Sequence, residues 1–273
     1  MSLSSFKKTV WKYHREHRRD LPWRTKLGKN KIDPYYVFVS EIMLQQTQAP
    51  RVVSKFLVFI EKFPTVKSLA RAELHDVLSV WQGLGYNRRA KYIRDTALQV
   101  VLEHNGVFPK DPLILERFAG IGPYTARAIA SFAYNNGYPF IETNIRTVFI
   151  HHFFKDSTKK VSDTELMSYI VKTLDETNPR EWYYALMDYG SYLKKEVRDL
   201  NSKSKHYTKQ STFKGSDREI RGQILKQLVL KKKVSLIELK KALKTEPVRL
   251  SLQLNSLVKE HMVIKKGNTY CIS

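Results

Sequence analysis

Apolar residues recur at helical spacing from Val37 to about Tyr192, with few alternating stretches that would read as strands, and this confines the main body to an all-α fold. Helices are predicted from Val37 to Gln48, Arg51 to Lys62, Val66 to Ala70, Glu73 to Val80, Arg88 to His104, Pro112 to Phe118, Pro123 to Tyr134, Asn144 to Phe153 and Asp163 to Thr177. Proline and glycine punctuate them, as in Phe63-Pro64 and Phe108-Pro109. At 273 residues the chain has room for two or three units, each with its own apolar core.

Between Gly190 and Gly215 the apolar pattern thins while Lys194, Lys195, Arg198, Lys203, Lys205, Lys209 and Lys214 accumulate, which predicts a basic linker. Beyond it, Ser216 and Glu219 have capping-box spacing, and Ile220, Ile224, Leu225 and Leu228 form one helical stripe. A second helix is expected from Ser235 to Leu243 and a third from Glu246, with Pro247 in its first turn, to Glu260. Met262 to Ile272 reads as two short strands around a Gly267-Asn268 turn. Three helices and a hairpin predict a winged helix over residues 216–273.

The net charge of +22 exceeds what solubility asks for and points to a polyanionic partner, nucleic acid being the simplest. Charge alone does not separate DNA from RNA or an anionic membrane surface. The single cysteine, Cys271, excludes an internal disulfide and any multi-cysteine metal site. Met1 to Asp20 carries Lys7, Lys8, Lys12, Arg15, Arg18 and Arg19 without an apolar core segment, so no signal peptide is expected. No run approaches the ~20 apolar residues that a membrane span needs.

The sharpest local signal is Leu115-Glu116-Arg117-Phe118-Ala119-Gly120-Ile121-Gly122-Pro123-Tyr124-Thr125-Ala126, a helix end, a tight turn and a new helix start. Gly120 and Gly122 let the backbone turn sharply and come close to a phosphate, whose oxygens the free amides of the next helix can bind. Such a helix-hairpin-helix grips the DNA backbone, although a Gly-x-Gly turn alone equally suits an ordinary connection between helices.

Several blocks stand in order with this hairpin: Leu21-Pro22-Trp23-Arg24, Asp33-Pro34-Tyr35, Ser40-Glu41-Ile42-Met43-Leu44-Gln45-Gln46-Thr47-Gln48, Phe63-Pro64-Thr65-Val66 and Trp81-Gln82-Gly83-Leu84-Gly85-Tyr86. Through them, over residues 6 to 192, the chain resembles the MutY-type adenine DNA glycosylases. The resemblance implies a two-lobed helical fold that binds duplex DNA across a cleft, takes an extrahelical adenine into a pocket and hydrolyses its N-glycosidic bond. Together with the residue pattern beyond Gly190, this gives an expected division into a terminal lobe with the basic linker (1–27 and 136–215), a helical domain with the hairpin (28–135) and the C-terminal unit (216–273).

In that family the glutamate of the Ser-Glu-x-Met-Leu-Gln-Gln block protonates the leaving purine, which makes Glu41 the candidate general acid. The resemblance gives Gln46 and Tyr86 the role of wedges that replace missing base stacking beside the flipped nucleotide, with Gln45, Gly120, Gly122, Thr125 and Arg146 as further DNA contacts. The second carboxylate of the family is an aspartate, and here Phe140-Ile141-Glu142-Thr143-Asn144 puts Glu142 in its place, with Asn144 matching the asparagine two residues on. Its role is a negative charge beneath C1′ of the sugar. Tyr124 occupies the position at which lyase-type relatives carry a Schiff-base lysine, and a hydrogen bond to the catalytic carboxylate is expected of it.

The chain also departs from the pattern. Typical members hold an iron-sulfur cluster with four cysteines after the motif that here is Met187-Asp188-Tyr189-Gly190, and carry a NUDIX-like domain that inspects the opposite base; this sequence shows neither. The expectation is a monofunctional, cofactor-free and metal-free glycosylase. It is expected to be a cytoplasmic, nucleoid-associated monomer acting on mismatched adenine in double-stranded DNA. Two alternatives stay open: a thymine, uracil or other damaged-base glycosylase, and a non-catalytic DNA-binding protein that reads DNA through the winged helix.

Overall fold

Capping chemistry sets most of the helix starts. The computed structural model describes residues 1–28, 31–197, 200–208 and 211–273; Arg198 and Lys209 of the basic stretch lie outside the described residues. In chain order the elements are α1 (Leu3–His17), β1 (Lys26–Leu27), β2 (Lys31–Ile32), α2 (Pro34–Leu44), α3 (Ala49–Lys62), α4 (Val66–Ala70), α5 (Leu74–Trp81), α6 (Arg88–His104), α7 (Pro112–Leu115) and α8 (Pro123–Tyr134). There follow α9 (Thr143–Phe153), α10 (Asp163–Thr173), α11 (Pro179–Glu196), α12 (Asp217–Lys231), β3 (Lys233–Ser235), α13 (Leu236–Ala242), α14 (Pro247–Lys259), β4 (Val263–Lys266) and β5 (Thr269–Ile272). Ser2, Thr65, Asp111, Ser162, Ser216 and Ser235 each accept a backbone N–H at a helix start, satisfying donors that the helix leaves unpaired.

The described residues fall into two compact units, Met1–Glu41 with Pro109–Arg117 and Ile121–Lys209, and Ile42–Phe108 with Phe118–Gly120 and Gln210–Ser273. In the first, α11 lies along α9 and also packs on α1 and α8. Its core is aromatic: the Phe6 ring centre is 5.0 Å from that of Phe149, and Phe140 stacks on Tyr183 at 3.9 Å. In the second unit α6 packs on α4 and α5 over Leu69, Leu78 and Trp81, all fully buried. There α12 packs on both α5 and α14, and β3, β5 and β4 form an antiparallel sheet with β5 in the middle. Gly267, at φ +58°, opens the two-residue turn between β4 and β5.

Several boundaries differ from the periodicity. α2 begins at Pro34, before the expected Val37, because Asp33 Oδ1 accepts from the Tyr35 amide (2.8 Å) and proline suits the first helical turn. It ends at Leu44 rather than Gln48, and Gln46 takes a left-handed φ of +55°. α10 stops at Thr173, after which Asp175 Oδ1 collects the amides of Thr177 and Asn178. α1 and α11 have no counterpart among the predicted helices, because each carries a dense charged face; α1 nonetheless buries Phe6, Val10 and His14 at intervals of four. α11 runs six residues past Gly190 into the stretch expected to be a linker, and its last turn buries Leu193. The chain is then fastened again: Thr147 Oγ1 donates to Asn201 Oδ1 (2.7 Å), and Val161 exchanges backbone hydrogen bonds with Lys203 (2.8 Å) and Lys205 (2.9 Å).

Candidate active site

Glu41 sits in α2 among apolar residues and is 5% exposed. Burial, reinforced by the charge of Glu142, pushes its carboxyl up to about 7, against the opposing pull of the Tyr124 hydrogen bond and the Arg24 charge. Tyr124, in the first turn of α8, donates from Oη to Glu41 Oε2 at 3.0 Å. Arg24 is itself buried and forks onto Asp188 of α11 with two 2.9 Å hydrogen bonds, its guanidinium 4.1 Å from the centre of the Tyr184 ring. Arg19 Nε adds a third donor to Asp188 at 2.6 Å. Burial works against the charged form of Asp188, but the charges and hydrogen bonds of Arg24 and Arg19 outweigh it and hold its carboxyl below the usual range.

Glu142 is the N-cap of α9. Its Oε1 accepts from the amides of Asn144 (2.7 Å) and Ile145 (2.9 Å), and its Oε2 from Asn144 Nδ2 (3.2 Å). The carboxylate is therefore pinned at the N-terminal end of α9, which fixes its place. Asn144 Oδ1 in turn accepts from Lys194 Nζ at 3.0 Å. Gly190 of α11 explains how α9 can come so near: a Cβ built there would lie 2.2 Å from the Asn144 carbonyl oxygen. Arg146, one turn into α9, is held away from this group in a fork with Asp163 (2.9 and 2.8 Å).

The two hairpin glycines differ in what they answer to. Gly120 is required by the fold, with φ +75° and a position where a Cβ would come 2.6 Å from the Tyr92 ring. Gly122, the N-cap of α8, has φ −94°, and a Cβ there would meet nothing within 4 Å. Its backbone faces open space beside a helix N-terminus, a position suited to an anion. Thr125 is buried at 3% exposure, in the first turn of α8.

The loops that carry the predicted wedges are organised by one residue, Arg89. Its guanidinium donates to the carbonyls of Ile42 (2.9 Å), Met43 (2.9 Å), Gln45 (2.6 Å), Leu84 (3.3 Å) and Gly85 (3.1 Å). Arg89 thereby ties the end of α2, before Gln46, to the turn before Tyr86. Tyr86, like Gln46, has a left-handed backbone, φ +47°, which L-residues rarely adopt. Gln45 is anchored through Nε2 to the Gly120 carbonyl at 3.2 Å.

No group of three or more His, Cys, Asp or Glu side chains is placed to hold a metal ion among the described residues. Cys271 is the one cysteine of the sequence, so a cluster held by four thiolates does not fit this chain. In sequence, Arg24, Asp188 and Gly190 stand inside motifs with no role assigned to them, and Arg89 stands outside every motif. A buried arginine that collects carbonyls leaves no local signature beyond its own letter.

Comparison with known proteins places these residues in a family. The description "HhH-GPD superfamily base excision DNA repair protein" fits residues 39–172. An adenine DNA glycosylase of Mycolicibacterium smegmatis is 37% identical over 193 residues, 70% of this chain and 63% of that protein. Its namesake in Mycobacterium tuberculosis is 44% identical over 136 residues, covering 50% and 43%. The chain thus spans less than two thirds of either relative. Among solved structures, a thermostable thymine-DNA glycosylase superposes with a TM-score of 0.63 at 21% identity over 75% of this chain and 96% of its own. An endonuclease III–DNA complex does so at 0.58 and 14%, over the same shares. The chain is mostly helical and shares the fold of these enzymes, and the stretch that holds Glu41, the hairpin and Glu142 matches the HhH-GPD superfamily of base excision DNA repair proteins.

Proposed function

We propose that the protein is a monofunctional DNA glycosylase that hydrolyses the N-glycosidic bond of an extrahelical adenine in mispaired or damaged duplex DNA. The observation that carries this reading is Glu41, a buried carboxyl raised to about 7 and held by Tyr124, which can give a proton near neutral pH. Glu41 protonates the leaving purine as the C1′–N bond breaks and the bonding pair goes to the base. Glu142, pinned by the α9 amides, stabilises the positive charge that develops on the sugar. A water oxygen then bonds to C1′ and its spare proton passes to a carboxylate. Asn144 fixes Glu142, Gly122 meets a phosphate, and Gln46 and Tyr86 fill the space left by the flipped base. Gln45, Gly120, Thr125 and Arg146 serve the DNA face by holding its loops and helix starts in place.

Tyr124 cannot form an imine, so strand nicking requires added alkali or a separate lyase. A purine is favoured over thymine because a buried, protonated carboxyl is the group a poor purine leaving group needs. Residues 216–273 form a winged helix that adds a basic DNA contact, and the protein acts as a monomer at the nucleoid. The test is a panel of duplexes, each with one mismatch or lesion, incubated with the protein and heated in alkali. Cleavage at adenine is expected; cleavage only at thymine or uracil reassigns the substrate, and none anywhere favours a DNA-binding protein without catalysis.

A further inference from the structure

Nothing in the catalytic reading uses residues 211–273, yet they touch Tyr86. Arg218, in the first turn of α12, donates from Nη1 to Tyr86 Oη, and its guanidinium lies 5.2 Å from the centre of the Tyr86 ring. The same guanidinium is braced from behind, Nη2 donating to the Ser211 carbonyl (2.6 Å), Ser211 Oγ (3.1 Å) and the Thr212 carbonyl (3.4 Å). Arg89 lies 5.5 Å from the centre of the same ring. The aromatic residue expected to enter the duplex is therefore held by two arginines, and only one of them belongs to its own helical segment.

The helix that carries Arg218 is fixed to the same segment. Arg221 donates to Glu260 Oε2 (2.5 Å) and Ser256 Oγ (3.0 Å), and Arg88, two residues after Tyr86, pairs with the same Glu260 (2.5 Å). At the far end of α12, His75 Nε2 donates to the Val229 carbonyl at 3.0 Å. Arg218 thus reaches Tyr86 from a helix anchored at both ends, a geometry that selects one placement for a residue whose backbone is already in an uncommon conformation.

We propose that Arg218 is a positioning residue: it sets the placement of Tyr86 and so couples the C-terminal segment to opening of the duplex. This rests on the reading of Tyr86 as a wedge. The alternative is that Arg218 does no more than anchor Ser211 and Thr212.

The full chain and the variants R218A, R218K, Y86F and R218A/Y86F decide between them. One probe is a duplex with 2-aminopurine opposite guanine, whose fluorescence rises when the base leaves the stack. The other is single-turnover excision of adenine from a mispair, compared with adenine opposite an abasic spacer, where no pair has to open. R218A should cut the fluorescence rise and mispair excision about tenfold while excision opposite the spacer stays within about twofold, because only the support for stacking is at stake. R218K, which keeps a donor for Tyr86 Oη, should recover part of the loss. In the Y86F background, which lacks Oη, R218A should add less than about twofold if the two groups act as a pair. Full fluorescence rise in R218A, an equal loss on both substrates, or an undiminished R218A effect in Y86F would overturn the proposal. Should the parent chain excise nothing yet brighten 2-aminopurine in an Arg218-dependent way, the glycosylase reading fails and this inference stands. If it does not brighten the probe at all, the wedge and the inference fall together.

Discussion

At the scale of single residues, the balance on Glu41 makes a prediction with a definite sign. Burial is the largest influence and raises its carboxyl to about 7, while the Tyr124 hydrogen bond lowers it. A general acid with that value gives an excision rate that falls about tenfold per pH unit above pH 7. Tyr124→Phe removes the lowering influence, so the descending limb of the single-turnover pH profile should move to higher pH; a limb that stays or moves down sinks the assignment. The same shift has a stability consequence. Because the folded-state value lies above the unfolded one, the contribution of Glu41 is fully present below pH 4.5 and is lost as pH rises through about 7. Glu142 offers the complementary test. Glu142→Gln keeps an oxygen for the α9 amides but removes the charge, so single-turnover excision should drop ~10²–10³-fold with DNA affinity within about threefold. Glu142→Asp shortens the reach by roughly 1.5 Å, and excision should slow while the helix cap survives. A Glu142→Gln protein that cuts as fast as the parent would remove this carboxylate from the mechanism.

At the scale of elements, the α9–α11 approach is the packing on which Glu142 depends. An alanine in place of a helical glycine ordinarily stabilises by ~1 kcal/mol. Here its Cβ would lie 2.2 Å from the Asn144 carbonyl oxygen, and forcing extra volume into a packed interface costs ~1–3 kcal/mol or more. The clash should win, so Gly190→Ala should lower the thermal unfolding midpoint and the excision rate together, as α9 and its capping carboxylate are pushed away. A higher midpoint would mean that the close approach is not needed. The apolar period shows most of the central helices but not α1 or α11, because a charged face dilutes the stripe by which a helix is recognised. The end of α2 escapes the pattern for a related reason. No proline or glycine stands between Leu44 and Gln48 to mark the stop, yet the Gln46 backbone turns left-handed where Arg89 gathers the carbonyls of Met43 and Gln45.

At the scale of the whole molecule, a charge of +22 should appear as a steep fall of DNA affinity with salt. The exposed Lys265 and Lys266 at the β4–β5 turn are the sharpest test of whether the C-terminal segment shares in it. Reversing both to glutamate should lower the slope of log affinity against log salt by about 2, near 0.9 for each phosphate no longer neutralised. An unchanged slope would make that hairpin a surface for another protein. Order along the chain was enough to point to the family and the hairpin and to offer Glu41 as a candidate general acid, because such motifs are local: their residues lie within a turn or two of each other, and their chemistry follows from residue type. Three features came only from tertiary structure, namely the raised Glu41 carboxyl, the arginine that organises the Gln46 and Tyr86 loops, and the grip of α12 on Tyr86. Each arises from groups far apart in sequence that meet in a low-dielectric or crowded setting, and neither burial nor a distant partner is written in any single stretch of the chain.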